Sequence, residues 1–235
     1  MPFMDFYDFT LDRYFATIGL IGINEMALNL TGEDVLENKR LVRDVVQYVK
    51  DRAREFMDET GMLWNVELIP GEGSSYRLAF IDRKKYRNIV TLGTMEAPYY
   101  SALLVPPSYN VDLMDKVIFE EEILPLFDGG AVSRTFLGET PEADMAAKLL
   151  RMLSSTKLPY FDLTPTFSIC PVDGTFHQGV VEKCRVCGHE NDVYSRVVGY
   201  YRPFKKYNVG KLEEAKERVL YRSDTLKSVV RTTPT

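Results

Sequence analysis

The sequence contains little cysteine, histidine or tryptophan. Among its 235 residues there are three cysteines, two histidines and one tryptophan. The cysteines, Cys170, Cys184 and Cys187, lie within one short stretch, and no cysteine precedes Phe167. A small, odd and clustered set of cysteines does not make the disulfide framework of a secreted protein, whereas a metal site needs only such a cluster.

Long apolar runs and an excess of positive charge are also missing. No apolar run approaches the roughly 18 residues that a membrane span requires. The net charge of −5 and the pI near 5.3 argue against a general nucleic-acid or membrane-surface binder. The amino terminus, MPFMDFYDF, carries acidic residues where a secretory signal peptide carries basic ones. We therefore expect a cytoplasmic protein with neither a membrane partner nor a nucleic-acid partner.

The composition is that of a globular protein, with 45% hydrophobic and 27% charged residues. Segments of strand composition, such as MLWNVELIP and GGAVSRTFLGE, alternate with helical patterns along most of the chain. This alternation predicts an α/β layer structure. In detail, we expect a helix just before Gly19, a longer helix capped by Thr31, and a solvated helix face at Glu120–Glu122.

The clearest local pattern is the segment CPVDGTFHQGVVEKCRVCGH. Cys184 and Cys187 form a C-x2-C pair, which lets two thiolates reach one tetrahedral ion from a tight turn. Cys170 lies 14 residues upstream, at a spacing common in zinc ribbons. The candidates for the fourth ligand are Asp173, His177 and His189, and Asp173 comes first because it stands where a second C-x2-C pair would place its partner. The alternative is three unrelated cysteines.

Two glycine-containing segments have both an ordinary and a functional interpretation. In PGEGSSYR, Gly73, Ser74 and Ser75 lead into a helix, and the free N–H groups there suit a phosphate as well as a plain helix cap. In SRVVGYYRP, Gly199 lies between paired valines and paired tyrosines. A buried glycine in such a strand ordinarily means close packing or a bulge.

Together these segments resemble the C-terminal part of the anaerobic (class III) ribonucleoside-triphosphate reductases, a family of glycyl-radical enzymes. The matching segments are FATIGLIGINEM, GSSYRLAFID, PYY, GGAVSRTFLGE, LPYFDLTPTFSICP, the cysteine segment, VYSRVVGYYRP and YNVGKLEE. R-V-x-G-Y alone fits several glycyl-radical families, and the cysteine segment directly upstream points to the reductases.

The resemblance implies an α/β fold, the C-terminal half of a ten-stranded glycyl-radical-enzyme barrel followed by a small zinc knuckle and a radical-glycine loop. We accordingly divide the chain into four parts. They are a partial barrel (1–165), a zinc-binding knuckle (166–190), the glycyl-radical loop with a C-terminal helix (191–222) and a tail (223–235).

The resemblance also implies roles for individual residues. Gly199 matches the glycine that carries the radical, which a separate radical-SAM activase installs by removing its α-hydrogen. In the family this radical oxidises a cysteine to a thiyl, which then removes the ribose 3′-hydrogen of the nucleotide substrate. Gly73, Ser74 and Ser75 fall where reductases hold the substrate phosphates. A Zn²⁺ ion is expected on Cys170, Cys184, Cys187 and Asp173.

The sequence departs from the family pattern in three respects. Asp173 stands where cysteine or histidine is expected, and PYYSALLVPP lacks the polar residues that usually follow the tyrosines. The family chains are several hundred residues long, whereas this sequence begins at its own methionine part-way through the barrel. Because all three cysteines belong to the knuckle, we expect a separate N-terminal chain to supply the thiyl cysteine.

Two other interpretations remain open at this point. One is a replacement radical subunit that docks on a reductase with a damaged radical loop, although such a part would need only the final 70 or so residues. The other is a zinc-ribbon binding module, for which the basic and aromatic segment YYRPFKKYNVGK is the one supporting feature.

Overall fold

The computed structural model describes residues 14–197, 199–222 and 226. The strands are β1 (Ala16–Leu20), β2 (Trp64–Leu68), β3 (Leu92–Gly93), β4 (Pro98–Tyr99), β5 (Ser133–Leu137), β6 (Phe161–Pro165), β7 (Phe167–Ile169), β8 (Phe176–Gln178), β9 (Asp192–Arg196) and β10 (Tyr201–Pro203). The helices are α1 (Ile23–Thr31), α2 (Lys39–Thr60), α3 (Glu72–Lys85), α4 (Leu113–Ile123), α5 (Ala143–Ser154) and α6 (Val209–Glu217). Within these residues, no helix combines the length and the apolar character that crossing a bilayer would take.

Two parallel strand pairs organise the larger part of the chain. β1 pairs with β2, and β5 pairs with β6. Parallel neighbours require a crossover connection, which α1 and α2 supply for the first pair and α5 for the second. The N–H of Leu68 donates to the carbonyl of Gly130 at 3.0 Å, so the end of β2 is joined to the segment that leads into β5. The expected mixed α/β architecture is confirmed, while the described strands do not close a barrel.

The hydrophobic core lies between these strands and the helices that cover them. Val42 and Val46 of α2 are fully buried and belong to the same apolar cluster as Val66 of β2. Leu149 and Leu153 of α5 extend this cluster. Burying a valine or leucine side chain stabilises a fold by about 1.5–3 kcal/mol, so these contacts fix the helices against the parallel strands.

A separate four-stranded sheet, in the order β10-β9-β7-β8, forms the C-terminal part of the structure. Its strands are antiparallel, and β7 pairs with both β8 and β9. Phe167 of β7 contacts three aromatic rings, those of Tyr194, Phe176 and Tyr201, with centroid distances of 5.3–5.5 Å. Aromatic pairs stabilise a fold by more than the burial of their surface area alone. Phe167 is therefore the packing centre of this sheet.

Two of the expected helix positions are wrong. The segment before Gly19 is strand β1 rather than a helix, because its residues alternate in burial and pair in register with β2, from Ala16 with Trp64 onward. Thr31 ends α1 rather than capping α2, and its hydroxyl donates to the carbonyl of Ala27 at 3.0 Å. The helix α2 begins at residue 39 instead.

The expectation of a solvated face at Glu120–Glu122 is wrong for Glu120. This residue is buried, its carboxylate accepts a hydrogen bond from Lys116 Nζ at 2.6 Å, and it also accepts from the hydroxyl of Ser133. Glu122 is exposed and pairs with Lys39. One face of α4 therefore packs against β5, and the acidic run is divided between the interior and the surface.

Candidate functional site

Four side chains of the cysteine segment bring their ligand atoms within 4.8 Å of one another. They are those of Cys170, Asp173, Cys184 and Cys187. The Sγ atoms of Cys170 and Cys187 lie 3.4 Å apart, and Cys184 Sγ lies 3.5 Å from Asp173 Oδ2. Thiolates and carboxylates are both zinc ligands, and structural zinc sites take four of them. The cluster could therefore hold a metal ion such as zinc.

Two similar backbone turns carry these four ligands. The N–H of Gly174 donates to the carbonyl of Cys170, and the N–H of Gly188 donates to the carbonyl of Cys184, both at 3.0 Å. The two glycines have φ angles of 73° and 75°, in the left-handed region where a side chain is strained. Asp173 therefore has the same place in the first turn as the second thiol of the C-x2-C pair has in the other turn.

The two histidines lie outside this cluster. His177 is buried on β8, and its Nε2 atom has no hydrogen-bond partner among the described residues. The side chain of His189 is exposed, and its backbone carbonyl accepts a hydrogen bond from the N–H of Cys184 at 2.7 Å. Of the three candidates for the fourth ligand, Asp173 is the one that lies with the three thiols.

Backbone N–H groups favour the deprotonated forms of two of the ligands. The N–H of Thr175 donates to Asp173 Oδ1 at 2.9 Å and is the main reason that the pKa of this carboxyl lies well below its usual range. Burial raises the pKa of the Cys184 thiol, but hydrogen bonds outweigh it and the pKa falls to about 7. The largest of these come from the N–H groups of Cys187 and Val186, followed by the side chains of His177 and Cys187. Metal ligands bind as anions, so both effects suit a metal site.

Gly199 lies in the tight connection between β9 and β10. Arg196 pairs with Tyr201 across the hairpin, and the N–H of Val197 donates to the carbonyl of Tyr200 at 3.2 Å. Gly199 is exposed, and a Cβ atom added to it would meet no atom of the described residues within 4 Å, its chain neighbours aside. Close packing therefore does not explain why this position is glycine.

Gly199 also lines a cavity of about 390 Å³. The end of β2 contributes Glu67 to the wall, β5 contributes Arg134, and α6 contributes Lys211 and Glu214. The remaining lining residues are mostly apolar and include Leu68, Pro70, Ala102, Leu103, Ala131, Phe136, Pro159, Tyr160 and Val197. A mostly apolar cavity of this size with a few convergent charges is typical of a small-molecule site.

A buried ion network supports the cavity wall and the hairpin. Glu214 accepts hydrogen bonds from Lys211 Nζ at 2.7 Å and from Arg218 Nη2 at 2.8 Å. Burial raises the pKa of Glu214, but these two cations outweigh it and the net pKa is lowered. Arg218 also donates to the hydroxyl of Ser195 and to the carbonyl of Arg196, both at 3.3 Å, so α6 is tied to the strand that precedes Gly199.

The PGEGSSYR segment forms the start of α3 rather than a loop ahead of it. The helix begins at Glu72, after Gly71, which has a φ of 46°. Gly73, Ser74 and Ser75 therefore lie in the first turn. The first three N–H groups of a helix have no carbonyl partner within it, and this geometry leaves them at the helix end with the positive dipole.

Both serine hydroxyls of this turn already have protein partners. Ser75 is buried, and its hydroxyl donates to the carbonyl of Tyr100 at 2.6 Å. The hydroxyl of Ser74 donates to the carbonyl of Gly71 at 3.2 Å. The N–H of Ser75 also has a partner, since it donates to the carbonyl of Gly71 at 2.7 Å. The backbone N–H groups of Glu72, Gly73 and Ser74 are therefore the donors that this turn offers to a ligand.

Contacts of Glu72 bring the start of α3 together with the Gly199 hairpin. Arg202 Nη1 lies 3.2 Å from Glu72 Oε1, and the hydroxyl of Tyr200 lies 3.3 Å from Glu72 Oε2. Sequence reasoning missed Glu72 and Arg202, as it missed the ion network of α6. No local pattern indicates these pairs, because Glu72 and Arg202 are 130 positions apart.

Comparisons with known proteins agree with the sequence resemblance. A family model for anaerobic ribonucleoside-triphosphate reductase matches residues 4–221. One solved anaerobic ribonucleotide reductase is 27% identical with a TM-score of 0.75, and the match covers 90% of this chain and 35% of that chain. No curated protein matches this chain.

Two crystal structures of the anaerobic ribonucleotide reductase from Thermotoga maritima are also similar. One, with MES in the active site, is 26% identical with a TM-score of 0.73 and is matched over 88% of this chain and 35% of that one. The other, in complex with dATP and CTP, is 27% identical with a TM-score of 0.68. The match covers 88% of this chain and 33% of that one.

This chain thus spans about a third of the length of these solved relatives, which is 35% for the first two. The family match takes in the parallel strand pairs, the cysteine cluster and the Gly199 hairpin, since all of them lie within residues 4–221. The resemblance inferred from the sequence is therefore confirmed. The chain belongs to the anaerobic ribonucleoside-triphosphate reductase family.

Proposed function

We propose that this chain is the radical-bearing C-terminal portion of an anaerobic ribonucleotide reductase. In this proposal the complete enzyme converts ribonucleoside triphosphates to deoxyribonucleotides by glycyl and thiyl radical chemistry, and Gly199 is the residue that stores the radical. Family membership supports the reaction class. The position of Gly199 supports its role.

The observation that carries the proposal is that Gly199 borders the 390 Å³ cavity although no contact requires a glycine there. A glycine Cα radical is stabilised because the two flanking amide groups share the unpaired electron. A side chain would oppose the planar geometry that this sharing needs. A chemical requirement for glycine would therefore explain why residue 199 is glycine, which its packing does not explain.

In this proposal the radical passes from Gly199 to a cysteine sulfur that is not one of the three cysteines of this chain. The chain has three cysteines, and all three belong to the metal cluster. We infer that a cysteine on another polypeptide segment faces Gly199 across the cavity, and that further strands complete the barrel around it. The parallel pairs β1–β2 and β5–β6 would then be parts of that barrel. A radical-SAM activase would remove the α-hydrogen of Gly199.

The nucleotide would be held partly by the start of α3. Gly73, Ser74 and Ser75 form a helical first turn whose N–H groups and dipole suit an anionic phosphate. Apart from its chain neighbours and the backbone of its own helix, a Cβ added at Gly73 would meet no atom of the described residues within 4 Å, so the backbone is open to a ligand at this point. We propose that Gly73 and Ser74 contact the substrate phosphates through their backbone N–H groups. Ser75, whose N–H donates to the carbonyl of Gly71 at 2.7 Å, would hold this turn in place beside the phosphates.

A zinc ion would have a structural role in this arrangement. Cys170, Asp173, Cys184 and Cys187 fit it, since three thiolates and one carboxylate converge from two tight turns. Zinc, when bound, would add its binding free energy to the folding of this segment, because the four ligands are brought together only in the folded state. We propose that the closed cluster holds β7 and β8 in place, and with them the sheet that carries the Gly199 hairpin.

Electron paramagnetic resonance tests the central assignment. The chain is combined with the rest of the reductase, treated anaerobically with an activase and S-adenosylmethionine, and frozen. A glycyl doublet is expected for the parent and should be absent in Gly199→Ala. Exposure to air should then cut the parent chain at residue 199 and leave the variant intact. A doublet of equal intensity in the variant would refute the proposal.

A further inference from the structure

The residue that opens α3 makes three contacts with the segment that follows Gly199. Glu72 accepts hydrogen bonds from the Arg202 guanidinium at 3.2 Å and from the hydroxyl of Tyr200 at 3.3 Å. Its backbone carbonyl accepts from Asn208 Nδ2 at 2.7 Å. One residue of the larger α/β part thus contacts the hairpin at the residue next to Gly199, in β10, and at the start of α6.

The surroundings of Glu72 favour this arrangement. A carboxylate in the first turn of a helix interacts favourably with the positive end of the helix dipole. The side chain of Glu72 is 24% exposed and that of Arg202 is 36% exposed, so the pair is partly shielded from water. Charge-assisted hydrogen bonds are the stronger kind, and here two donors converge on one carboxylate.

The hairpin has a different anchor on each side of Gly199. On the preceding side, Arg218 holds the hydroxyl of Ser195 and the carbonyl of Arg196. On the following side, Glu72 holds Tyr200 and Arg202. Removing the second anchor would leave β10 attached chiefly through its pairing with β9.

We propose that Glu72 is a positioning residue that fixes the glycine-bearing hairpin to α3, so that Gly199 stays at the cavity. The positioning role in catalysis rests on the proposed function, whereas the attachment itself does not. The same helix turn carries the proposed phosphate contacts. Glu72 would therefore fix the position of the Gly199 hairpin relative to the first turn of α3, where the substrate phosphates would bind.

Amide hydrogen exchange on the full chain tests the attachment directly. In Glu72→Gln, we expect amides of residues 199–202 to exchange roughly five- to tenfold faster, because the local opening becomes easier. Amides of β5 in the core should be unchanged, which excludes general destabilisation. Arg202→Gln should behave like Glu72→Gln, and Arg202→Lys should retain much of the protection because it keeps the charge.

Lys205→Gln is the matched control. Lys205 pairs with Asp192 at 2.6 Å, so this variant removes an ion pair of the same part of the chain that does not reach α3. Its effect on amide exchange at residues 199–202 should stay below about twofold. Equal exchange in Glu72→Gln and the parent would overturn the proposal, as would an equal acceleration in Lys205→Gln.

The activated complex tests the catalytic consequence. With the rest of the reductase present, Glu72→Gln should still form a glycyl doublet, while kcat falls roughly tenfold and KM changes less. An unchanged kcat would show that Glu72 has no positioning role in catalysis, even where the exchange data show that it attaches the hairpin to α3. A parent that forms no doublet would instead refute the proposed function, and the exchange data would stand independently.

Discussion

Phe167 stacks on Tyr194 with 5.5 Å between the ring centroids and 6° between the ring planes. Phe167 opens β7, which leads to Cys170 of the cysteine cluster, and Tyr194 lies in β9, which leads to Gly199. The cysteine cluster and the glycine hairpin are therefore at two ends of one antiparallel sheet. We expect a change that loosens one end of the sheet to increase the mobility of the other end.

The first prediction concerns the fourth metal ligand. Asp173→Cys should raise zinc affinity, because it completes a second C-x2-C pair in a turn that already has the required geometry. Asp173→Ala should lower the affinity roughly tenfold or more, since one of four ligands is lost. Competition with a chromogenic chelator measures both constants.

His189→Ala provides the control for this series, because that side chain is exposed and lies outside the cluster. Its zinc affinity should equal that of the parent. If Asp173→Ala also binds zinc as tightly as the parent does, Asp173 is not a ligand.

The second prediction separates the chemistry of Gly199 from its packing. Gly199→Ala should change the free energy of unfolding by less than about 0.5 kcal/mol, because the added methyl group enters open space. Gly210→Ala should destabilise the chain by about 1–3 kcal/mol, since its Cβ would lie 2.8 Å from the Tyr76 Cβ and 3.0 Å from the Pro98 carbonyl. Urea unfolding of both variants measures the difference. Strong destabilisation by Gly199→Ala would contradict the finding that a methyl group at residue 199 has room in the folded structure.

The third prediction follows from a buried carboxyl group. Glu25 Oε1 accepts from the N–H of Ser101 at 3.1 Å, whereas Oε2 is buried without a partner among the described residues. Burial is the main cause that raises the pKa of Glu25 from 4.5 to about 7. The folded state thus binds this proton more tightly than the unfolded state does. The resulting stability is present below pH 4.5 and is lost as the pH rises through about 7.

Glu25→Gln should remove this dependence. The variant should be more stable than the parent at pH 8, by up to about 3 kcal/mol, and nearly equal to it at pH 4.5. Urea unfolding of both proteins at the two pH values gives the comparison. A difference in unfolding free energy that does not vary with pH would show that Glu25 titrates normally.

The fourth prediction concerns the ion network of α6. Arg218→Met should destabilise the chain by about 3 kcal/mol, because it leaves Glu214 buried with one cation instead of two. Lys216→Met, two positions earlier and within α6, breaks the pair with Glu213, in which the lysine side chain is 62% exposed, and should cost less than about 0.5 kcal/mol. Similar losses in the two variants would mean that burial of the network contributes nothing. Chemical denaturation measures both.

The sequence alone determined the features that depend on neighbours along the chain. A C-x2-C pair and a similar C-P-V-D turn predict clustered ligands, because a tight turn fixes the distance between its first and fourth residues. The alternation of strand and helix patterns predicted the α/β class for the same local reason. Contiguous segments along most of the chain, with the cysteine segment just upstream of the Gly199 segment, were enough to indicate the family.

Tertiary structure decided the features that depend on distant partners. The segment before Gly19 is a strand because β2, nearly 50 residues later, pairs with it from Ala16 to Leu20. Glu120 is buried because β5 covers one face of α4, and Glu72 meets Arg202 across 130 positions. Such contacts form only where the fold brings remote segments together, and the energy of burying or pairing a charge depends on that environment. For this reason the sequence indicated the candidate site residues, while the fold decided which charged residues lie around them.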